Sequence, residues 1–165
     1  MVKKIIVADT SAIIHGTALL CKDTVVTTPK VLEEVKSSVA RYILLTLLEG
    51  KKISVVEPER KYLTKAIKIA KKMGYLRDLS ETDISLIALA IKYISEGISV
   101  IVYTDDYKIQ SILSKLNISY SSVVHKPIDK CRKKIYYCSI CGKTYTNGDF
   151  CPICGSKLRS KYVKA

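Results

Sequence analysis

The segment IIVADTSA (residues 5–12) places an uninterrupted apolar run directly before an acid. The run Ile5 to Ala8 has no polar residue between its apolar ones, a pattern typical of a parallel strand that is buried on both faces. Asp9 therefore follows the carboxyl end of a predicted strand. In open parallel sheets, ligands bind at this end of the strands.

Outward from this segment, helical and apolar stretches alternate as far as residue 124. Thr28 and Pro29 suit an N-cap and a first helical position, and glycines end several of the helices. The predicted order β-α-α-β-α-α-β-α-β indicates an α/β domain with a parallel sheet and helices on both faces. The predicted strands are 5–8, 53–57, 98–103 and 118–124, and the predicted helices are 29–38, 39–50, 63–73, 81–97 and 107–116.

Acids follow two of the predicted strands and lie on two of the helices. Taken singly, an acid at such a place is more often a helix cap or a surface residue than a ligand. Two strand ends and two helices can nevertheless converge on one pocket of a parallel sheet. The acids placed in this way are Asp9, Glu33, Glu34, Asp83, Asp105 and Asp106.

Several carboxylates at one point repel one another unless a cation joins them. Oxygen ligands alone suit the hard ions Mg²⁺ and Mn²⁺. Such an ion can bind a phosphodiester, lower the pKa of a bound water and stabilise the departing oxygen, which is the chemistry of a metal-dependent nuclease. The hydroxyls of Thr10, Ser11 and Thr104 could orient carboxylates or water.

Four of the six cysteines form two C-x-x-C pairs, each followed by glycine, with nine residues between the pairs. Two such turns point four thiolates at one place, which predicts a single structural Zn²⁺ with Zn–S distances of about 2.3 Å. Disulfides or a redox pair are the alternatives, and disulfides are disfavoured in a reducing compartment. Asn147-Gly148 signals a hairpin turn between the two cysteine pairs, so a zinc ribbon is predicted. The other two cysteines, Cys21 and Cys131, are expected to be unpaired thiols. The predicted ligands are Cys138, Cys141, Cys151 and Cys154.

The net charge of +13 is concentrated at the carboxyl end of the chain. Residues 126–165 hold ten basic and two acidic residues. Together with the element pattern and the cysteines, this predicts three parts: a nuclease-like domain at 1–125, a basic linker at 126–134 and a ribbon with a basic tail at 135–165. Such a surface attracts nucleic acid, although a solvated lysine-rich surface is the plainer alternative. The cations expected to contact RNA phosphates are Lys143, Lys157, Arg159, Lys161 and Lys164.

Tyrosines are interspersed among these cations. They could stack on unpaired bases, or they could form the small core of the ribbon. Both alternatives are open for Tyr136, Tyr137, Tyr145 and Tyr162.

No apolar run reaches the roughly 18–20 residues that span a bilayer. The apolar stretch after the first lysines is also shorter than the roughly 7–15 residues of a signal peptide. A cytoplasmic protein without a membrane association is therefore expected.

Four segments resemble, in the same order, those of PIN-domain endonucleases: VADTSA at 7–12, TPKVLEEV at 28–35, LSETDISLIALA at 79–90 and VYTDDYKIQ at 102–110. With the ribbon added, the whole chain is similar to the family of archaeal Nin-one-binding endonucleases, which mature the 3′ end of small-subunit ribosomal RNA. The resemblance implies a compact α/β/α fold, one or two Mn²⁺ or Mg²⁺ ions, and cleavage of single-stranded RNA that leaves a 5′-phosphate and a 3′-hydroxyl.

The same resemblance implies roles for particular acids. Asp9 and Asp83 match the metal ligands of the family firmly. Of the two adjacent glutamates, Glu34 fits the family's position better than Glu33. His15 is expected to be structural or at the surface more than an RNA contact. The implied catalytic set is Asp9, Glu34, Asp83 and one or both of Asp105 and Asp106.

The sequence thus predicts an Mg²⁺- or Mn²⁺-dependent endoribonuclease whose partners are precursor small-subunit ribosomal RNA and the pre-ribosomal particle. Three other classes of protein are open at this point. These are a non-catalytic zinc-ribbon RNA-binding assembly factor, a PIN-type toxin ribonuclease, and a zinc-ribbon module for protein interaction.

Overall fold

The computed structural model of the chain describes residues 4–17, 23–124 and 131–164. Cys21 and residues 126–130 of the predicted linker lie outside the described residues. The first part of the chain forms a five-stranded parallel sheet of order β3-β2-β1-β4-β5. Its strands are β1 (Lys4–Ala8), β2 (Thr24–Thr27), β3 (Ile53–Val55), β4 (Ser99–Tyr103) and β5 (Ser119–Ser121).

Helices flank this sheet, which confirms the predicted α/β class. A 3₁₀ turn, Leu76–Asp78, precedes the longest helix of the described residues. The helices are α1 (Thr10–Ile14), α2 (Pro29–Glu34), α3 (Ser38–Glu49), α4 (Arg60–Lys72), α5 (Glu81–Ser95) and α6 (Tyr107–Lys115).

Two elements differ from the sequence prediction. The sheet contains five strands rather than four, because β2 pairs with β1 and β3. A short helix that was not predicted, α1, directly follows β1. All four residues of β2 are β-branched, which is the signal that could have revealed the strand. Helix α1 has only five residues, too few for a hydrophobic period to show.

Helix α5 forms the centre of the core. Ten of its fifteen residues are buried, including Leu86, Ile87 and Leu89. Because nearly its whole circumference is apolar, the helix is enclosed and packs against α4, β1 and β4. This packing fixes the position of its first turn, where Asp83 lies.

Strands β1 and β4 are neighbours although they lie far apart in the sequence. Ala8 pairs with Tyr103, and the backbone N–H of Asp9 donates to the carbonyl of Tyr103 at 3.1 Å. The chain leaves β1 toward β2 on one side of the sheet, while β4 and β5 extend it on the other. The strand order therefore reverses between β1 and β4, which is the position where open parallel sheets bind ligands.

A second, antiparallel sheet of order β7-β6-β8 forms the ribbon, by which we mean residues 132–164. Its strands are β6 (Arg132–Tyr137), β7 (Thr144–Tyr145) and β8 (Arg159–Lys164). The hairpin differs from the prediction, because β7 pairs with β6 across the first C-x-x-C turn. Strand β6 begins within the segment expected to be a linker, so the exact domain boundary stays a prediction.

The ribbon contacts the first domain through the loop after α4. The backbone N–H of Lys134 donates to the carbonyl of Met73 at 3.0 Å, and the Tyr75 hydroxyl donates to the carbonyl of Arg132 at 2.9 Å. Gly74, with φ of +78°, lies so close that a Cβ there would be 2.1 Å from the Lys134 carbonyl oxygen. Only glycine suits both the backbone conformation and the space.

Candidate active site and metal centre

Asp9 directly follows β1 and lies beside the end of β4. It is the N-cap of α1, and its Oδ1 accepts the backbone N–H of Thr10 at 2.6 Å. The hydroxyl of Thr104, which follows β4, donates to its Oδ2 at 2.7 Å. The two strand ends are therefore joined through one carboxylate.

Burial raises the pKa of Asp9 from its ordinary value of 3.8 to about 6. Hydrogen bonds from Thr104 and Thr10 lower this pKa in part, whereas the charges of Asp83 and Glu34 raise it further. These acids therefore act on one another electrostatically within the same site.

Asp83 reaches the site from the first turn of α5. Its Oδ2 accepts the backbone N–H of Ser80 at 2.7 Å, and its own N–H donates to the Ser80 hydroxyl at 3.1 Å, which forms a capping box. Burial raises its pKa, the bonds with Ser80 lower it, and the charges of Asp106 and Glu34 raise it. The residue is thus both a helix cap and a member of the acid cluster.

Glu34 lies at the end of α2 and is exposed. Its Oε2 accepts the hydroxyl of Thr10 at 3.3 Å, so the residue after Asp9 connects the two acids. Glu33, which the resemblance fitted less well, is also exposed.

The adjacent acids Asp105 and Asp106 make different contacts. Asp106 caps α6, accepts the backbone N–H of Lys108 at 2.6 Å, and donates its own N–H to Thr104 at 3.2 Å. The Asp105 carboxylate accepts the backbone N–H groups of Val123 and Val124 at 3.0 and 3.1 Å. Of the two, Asp106 shares Thr104 with Asp9, while Asp105 holds the segment after β5.

Carboxylate oxygens are the ligands that a hard divalent cation prefers, and the charges of these acids act on one another. Burial raises the pKa of Asp9 and of Asp83, and a cation that neutralises these two carboxylates would stabilise their charged forms. The Ser11 Oγ is also shielded from solvent, and the described part of the chain offers it no hydrogen-bond partner. This unsatisfied polar atom beside Asp9 and Thr10 suits a site that takes up water or a ligand.

The four cysteines of the ribbon lie together, with their Sγ atoms within 4.8 Å of one another. The backbone N–H of Cys141 donates to the Cys138 Sγ at 3.2 Å, and this bond is the largest cause that lowers the pKa of Cys138 to about 6. A set of four thiolates without an open position fits a structural Zn²⁺. The set comprises Cys138, Cys141, Cys151 and Cys154.

The cations predicted to contact RNA all lie on the surface of the ribbon. Within β8, the side chains of Arg159 and Lys161 alternate with that of Tyr162 and so lie on the opposite face of the strand. The remaining predicted cations are also exposed and are Lys143, Lys157 and Lys164.

The tyrosines of the ribbon have separate surroundings. Tyr136 and Tyr145 pack against the cysteine core, as the alternative of a small core predicted. Tyr162 stacks on Tyr75 of the first domain at 6.4 Å between ring centroids, and the Lys161 Nζ lies 5.1 Å from the ring of Tyr137.

His15 and Cys131, two residues without an assigned chemical role, make structural contacts. His15 is exposed at the end of α1, where its N–H donates to the Ser11 carbonyl at 3.1 Å. The thiol of Cys131 donates to the Ser111 carbonyl at 3.1 Å and forms no disulfide.

Sequence reasoning missed the contact between Asp78 and Lys134. Their side chains pair at 2.5 Å between the 3₁₀ turn and β6. The residues are 56 positions apart, and neither lies in a motif, so no local signal marks the pair.

Acids at the carboxyl ends of two central parallel strands agree with the PIN-domain resemblance of the sequence. A family model described as the PIN domain of ribonuclease matches residues 6–93. The chain is 37% identical to "Endoribonuclease Nob1" of Methanocaldococcus jannaschii over 99% of this chain and 81% of that protein. It is 35% identical to the protein of the same name from Pyrococcus abyssi, over 81% of each. The chain belongs to the PIN-domain family of archaeal Nob1 endoribonucleases.

A differently named relative is similar to the chain over nearly its whole length. "Ribonuclease VapC1" of Thermoplasma acidophilum is 35% identical over 97% of this chain and 79% of that protein. Both names describe ribonucleases, so the enzyme class does not depend on which relative is chosen. Separately, none of the helices in the described residues is long and apolar enough to span a bilayer.

Proposed function

We propose that this protein is a metal-dependent endoribonuclease that cleaves single-stranded precursor ribosomal RNA and thereby matures the 3′ end of the small-subunit RNA. The observation that carries the proposal is the Thr104 hydroxyl, which donates to Asp9 and accepts the backbone N–H of Asp106. One side chain thus joins acids from two neighbouring strand ends. The charges of Asp83 and Glu34 act on the same place from two helices.

In this proposal Asp9, Glu34, Asp83 and Asp106 hold one or two Mn²⁺ or Mg²⁺ ions. Asp105 is assigned a structural role because its carboxylate is engaged by two backbone N–H groups. When bound, such an ion would attract the phosphodiester, lower the pKa of a water and stabilise the departing oxygen.

The residues of the chain orient the acids. Thr104 fixes Asp9 and Ser80 fixes Asp83, so both carboxylates keep one rotamer without an added charge. Water attacks phosphorus, the bond from phosphorus to the 3′ oxygen breaks, and the products carry a 5′-phosphate and a 3′-hydroxyl.

The basic ribbon supplies the RNA contacts in this proposal. Lysine and arginine side chains bind phosphates without reading sequence, so affinity for RNA falls steeply with salt. The exposed cations that would act in this way are Lys143, Lys157, Arg159, Lys161 and Lys164.

We assign Zn²⁺ to the cysteine cluster as a structural ion. A segment as small as the ribbon buries little apolar surface, so metal binding would be part of its folding. Zinc ligation needs these cysteines reduced, which suits the cytoplasm that we propose as the place of action.

The test incubates the full-length protein with a small-subunit precursor fragment in Mn²⁺ or in EDTA and maps every new 3′ end. We expect one Mn²⁺-dependent cut at the mature end. Asp83→Asn should retain RNA binding and lose cleavage. If wild-type protein binds RNA and never cuts it, the assembly-factor alternative is correct. Equal cleavage of unrelated RNAs would instead favour a toxin-type ribonuclease.

A further inference from the structure

We infer that the ribbon positions the catalytic acid Asp106 from a distance, through Lys134, Asp78 and Lys108. The inference rests on the proposed function, because it concerns the same acid cluster. It assigns Lys134 and Lys108 as positioning residues.

The first step joins the two domains. The Lys134 Nζ on β6 pairs with the Asp78 Oδ2 at 2.5 Å, and these side chains are only 13% and 28% exposed. Exposed ion pairs contribute little because water and salt screen them, whereas a shielded pair restrains both partners. The position of Asp78 therefore depends on the ribbon.

The second step connects Asp78 to the acid cluster. Its carbonyl accepts the Lys108 Nζ at 2.9 Å, and the same Nζ lies 3.5 Å from the Asp106 Oδ2. A charge-assisted hydrogen bond would be shorter, at about 2.8 Å. The Asp78 carbonyl thus keeps the ammonium group of Lys108 short of full contact with Asp106.

This distance matters for metal binding. An ammonium group in full contact with Asp106 would neutralise that carboxylate and compete with a divalent cation for its oxygens. If Lys134 no longer held Asp78, the short 3₁₀ turn could shift and Lys108 could close on Asp106. The ribbon would then influence the site without touching RNA or metal.

A neighbouring contact provides a matched control. Arg77 Nη1 pairs with the Asp149 Oδ1 of the ribbon at 2.6 Å, from the residue just before Asp78. Both of these side chains are more than half exposed, at 53% and 64%, whereas among the described residues Lys108 bonds to Asp78 and Asp106. Removal of this pair should loosen the ribbon without affecting Asp106.

The experiment measures Mn²⁺ affinity of the full-length protein without RNA, from the EPR signal of free Mn²⁺, and then kcat and KM on a single-stranded RNA. Lys134→Met should weaken Mn²⁺ binding roughly tenfold and lower kcat rather than raise KM. Lys134→Arg should restore both quantities, and Arg77→Met should change neither. Thermal unfolding confirms that each variant is folded.

A double variant tests the role of Lys108. If Lys108 competes with the cation, Lys134→Met should have less than about a twofold effect in a Lys108→Met background. An equal effect of Lys134→Met and Arg77→Met, or full additivity in the double variant, would overturn the inference alone. Wild-type protein that neither binds Mn²⁺ nor cleaves RNA would overturn the proposed function, and this inference with it.

Discussion

Asp105 and Asp106 are adjacent in the chain, yet their carboxylates serve different parts of the molecule. The Asp106 carboxylate caps α6 beside the acid cluster, while that of Asp105 accepts the N–H groups of Val123 and Val124. In the proposed function, Asp106 therefore serves catalysis and Asp105 serves stability.

This separation predicts opposite phenotypes for two neighbouring substitutions. Asp106→Asn should lower kcat more than about 100-fold, because the loss of a ligand exceeds the loss of a supporting partner. Asp105→Ala should leave kcat within a few-fold and reduce the free energy of unfolding by about 1–3 kcal/mol, since two backbone donors lose their acceptor. Denaturant unfolding and cleavage assays on both variants distinguish them. A larger loss of kcat for Asp105→Ala would reverse our assignment.

The raised pKa of Asp9 should make the free energy of unfolding depend on pH. Its pKa is 3.8 ordinarily and about 6 in the fold, so between these values the folded chain keeps a proton that the unfolded chain loses. The native state then binds more protons, and stability falls as pH rises through this window. In EDTA at pH 7, Asp9→Asn should therefore raise the free energy of unfolding by about 1–3 kcal/mol, and below pH 4 the gain should vanish. Thermal melts across pH 3.5–7.5 would measure it; a gain that persists at pH 3.5 would contradict it.

Position 74, at the contact between the domains, should tolerate only glycine. Gly74→Ala should destabilise the protein by more than the roughly 1–2 kcal/mol that a positive φ costs alanine, because its Cβ would collide with the Lys134 carbonyl. Gly97→Ala is the matched control, since Gly97 has a similar φ of +75° and no atom within 4 Å of the added Cβ. Limited proteolysis should release the ribbon faster in the first variant only. Equal effects of the two substitutions would mean that strain alone matters.

Zinc removal should unfold the ribbon selectively. One equivalent of Zn²⁺ should be released when a strong chelator is added, with loss of the ribbon's antiparallel signals in NMR spectra. Cys138→Ser should have the same effect, whereas Cys131→Ser should retain the metal because that thiol contacts Ser111 instead. Retention of a folded ribbon without metal would show that its apolar contacts suffice.

The sequence was informative where chemistry is local. Asp9 and Asp83 could be placed because one follows an apolar strand and the other opens a long apolar helix. The cysteine spacing alone indicated that four thiols come together. The neighbouring sequence could not decide which of Asp105 and Asp106 faces the other acids. That depends on Val123 and Val124, whose N–H groups bind Asp105 after β5.

Contacts between distant segments could not be predicted either, because they depend on how the folded chain brings those segments together. Neither Asp78 nor Lys134 carries a periodic or motif signal, and their pairing exists only because the loop at Gly74 admits β6. Strand β2 was missed although its four residues are all β-branched, because so short a run stands directly before the helix start at Thr28-Pro29.

Strand β8 has one further consequence. It forms an outer border of the ribbon sheet, where unpaired backbone groups invite a strand from another chain. Its sequence, RSKYVK, places cations along that border, and like charges on two approaching copies repel each other. The same positive charge that suits a polyanion thus discourages aggregation of the protein with itself.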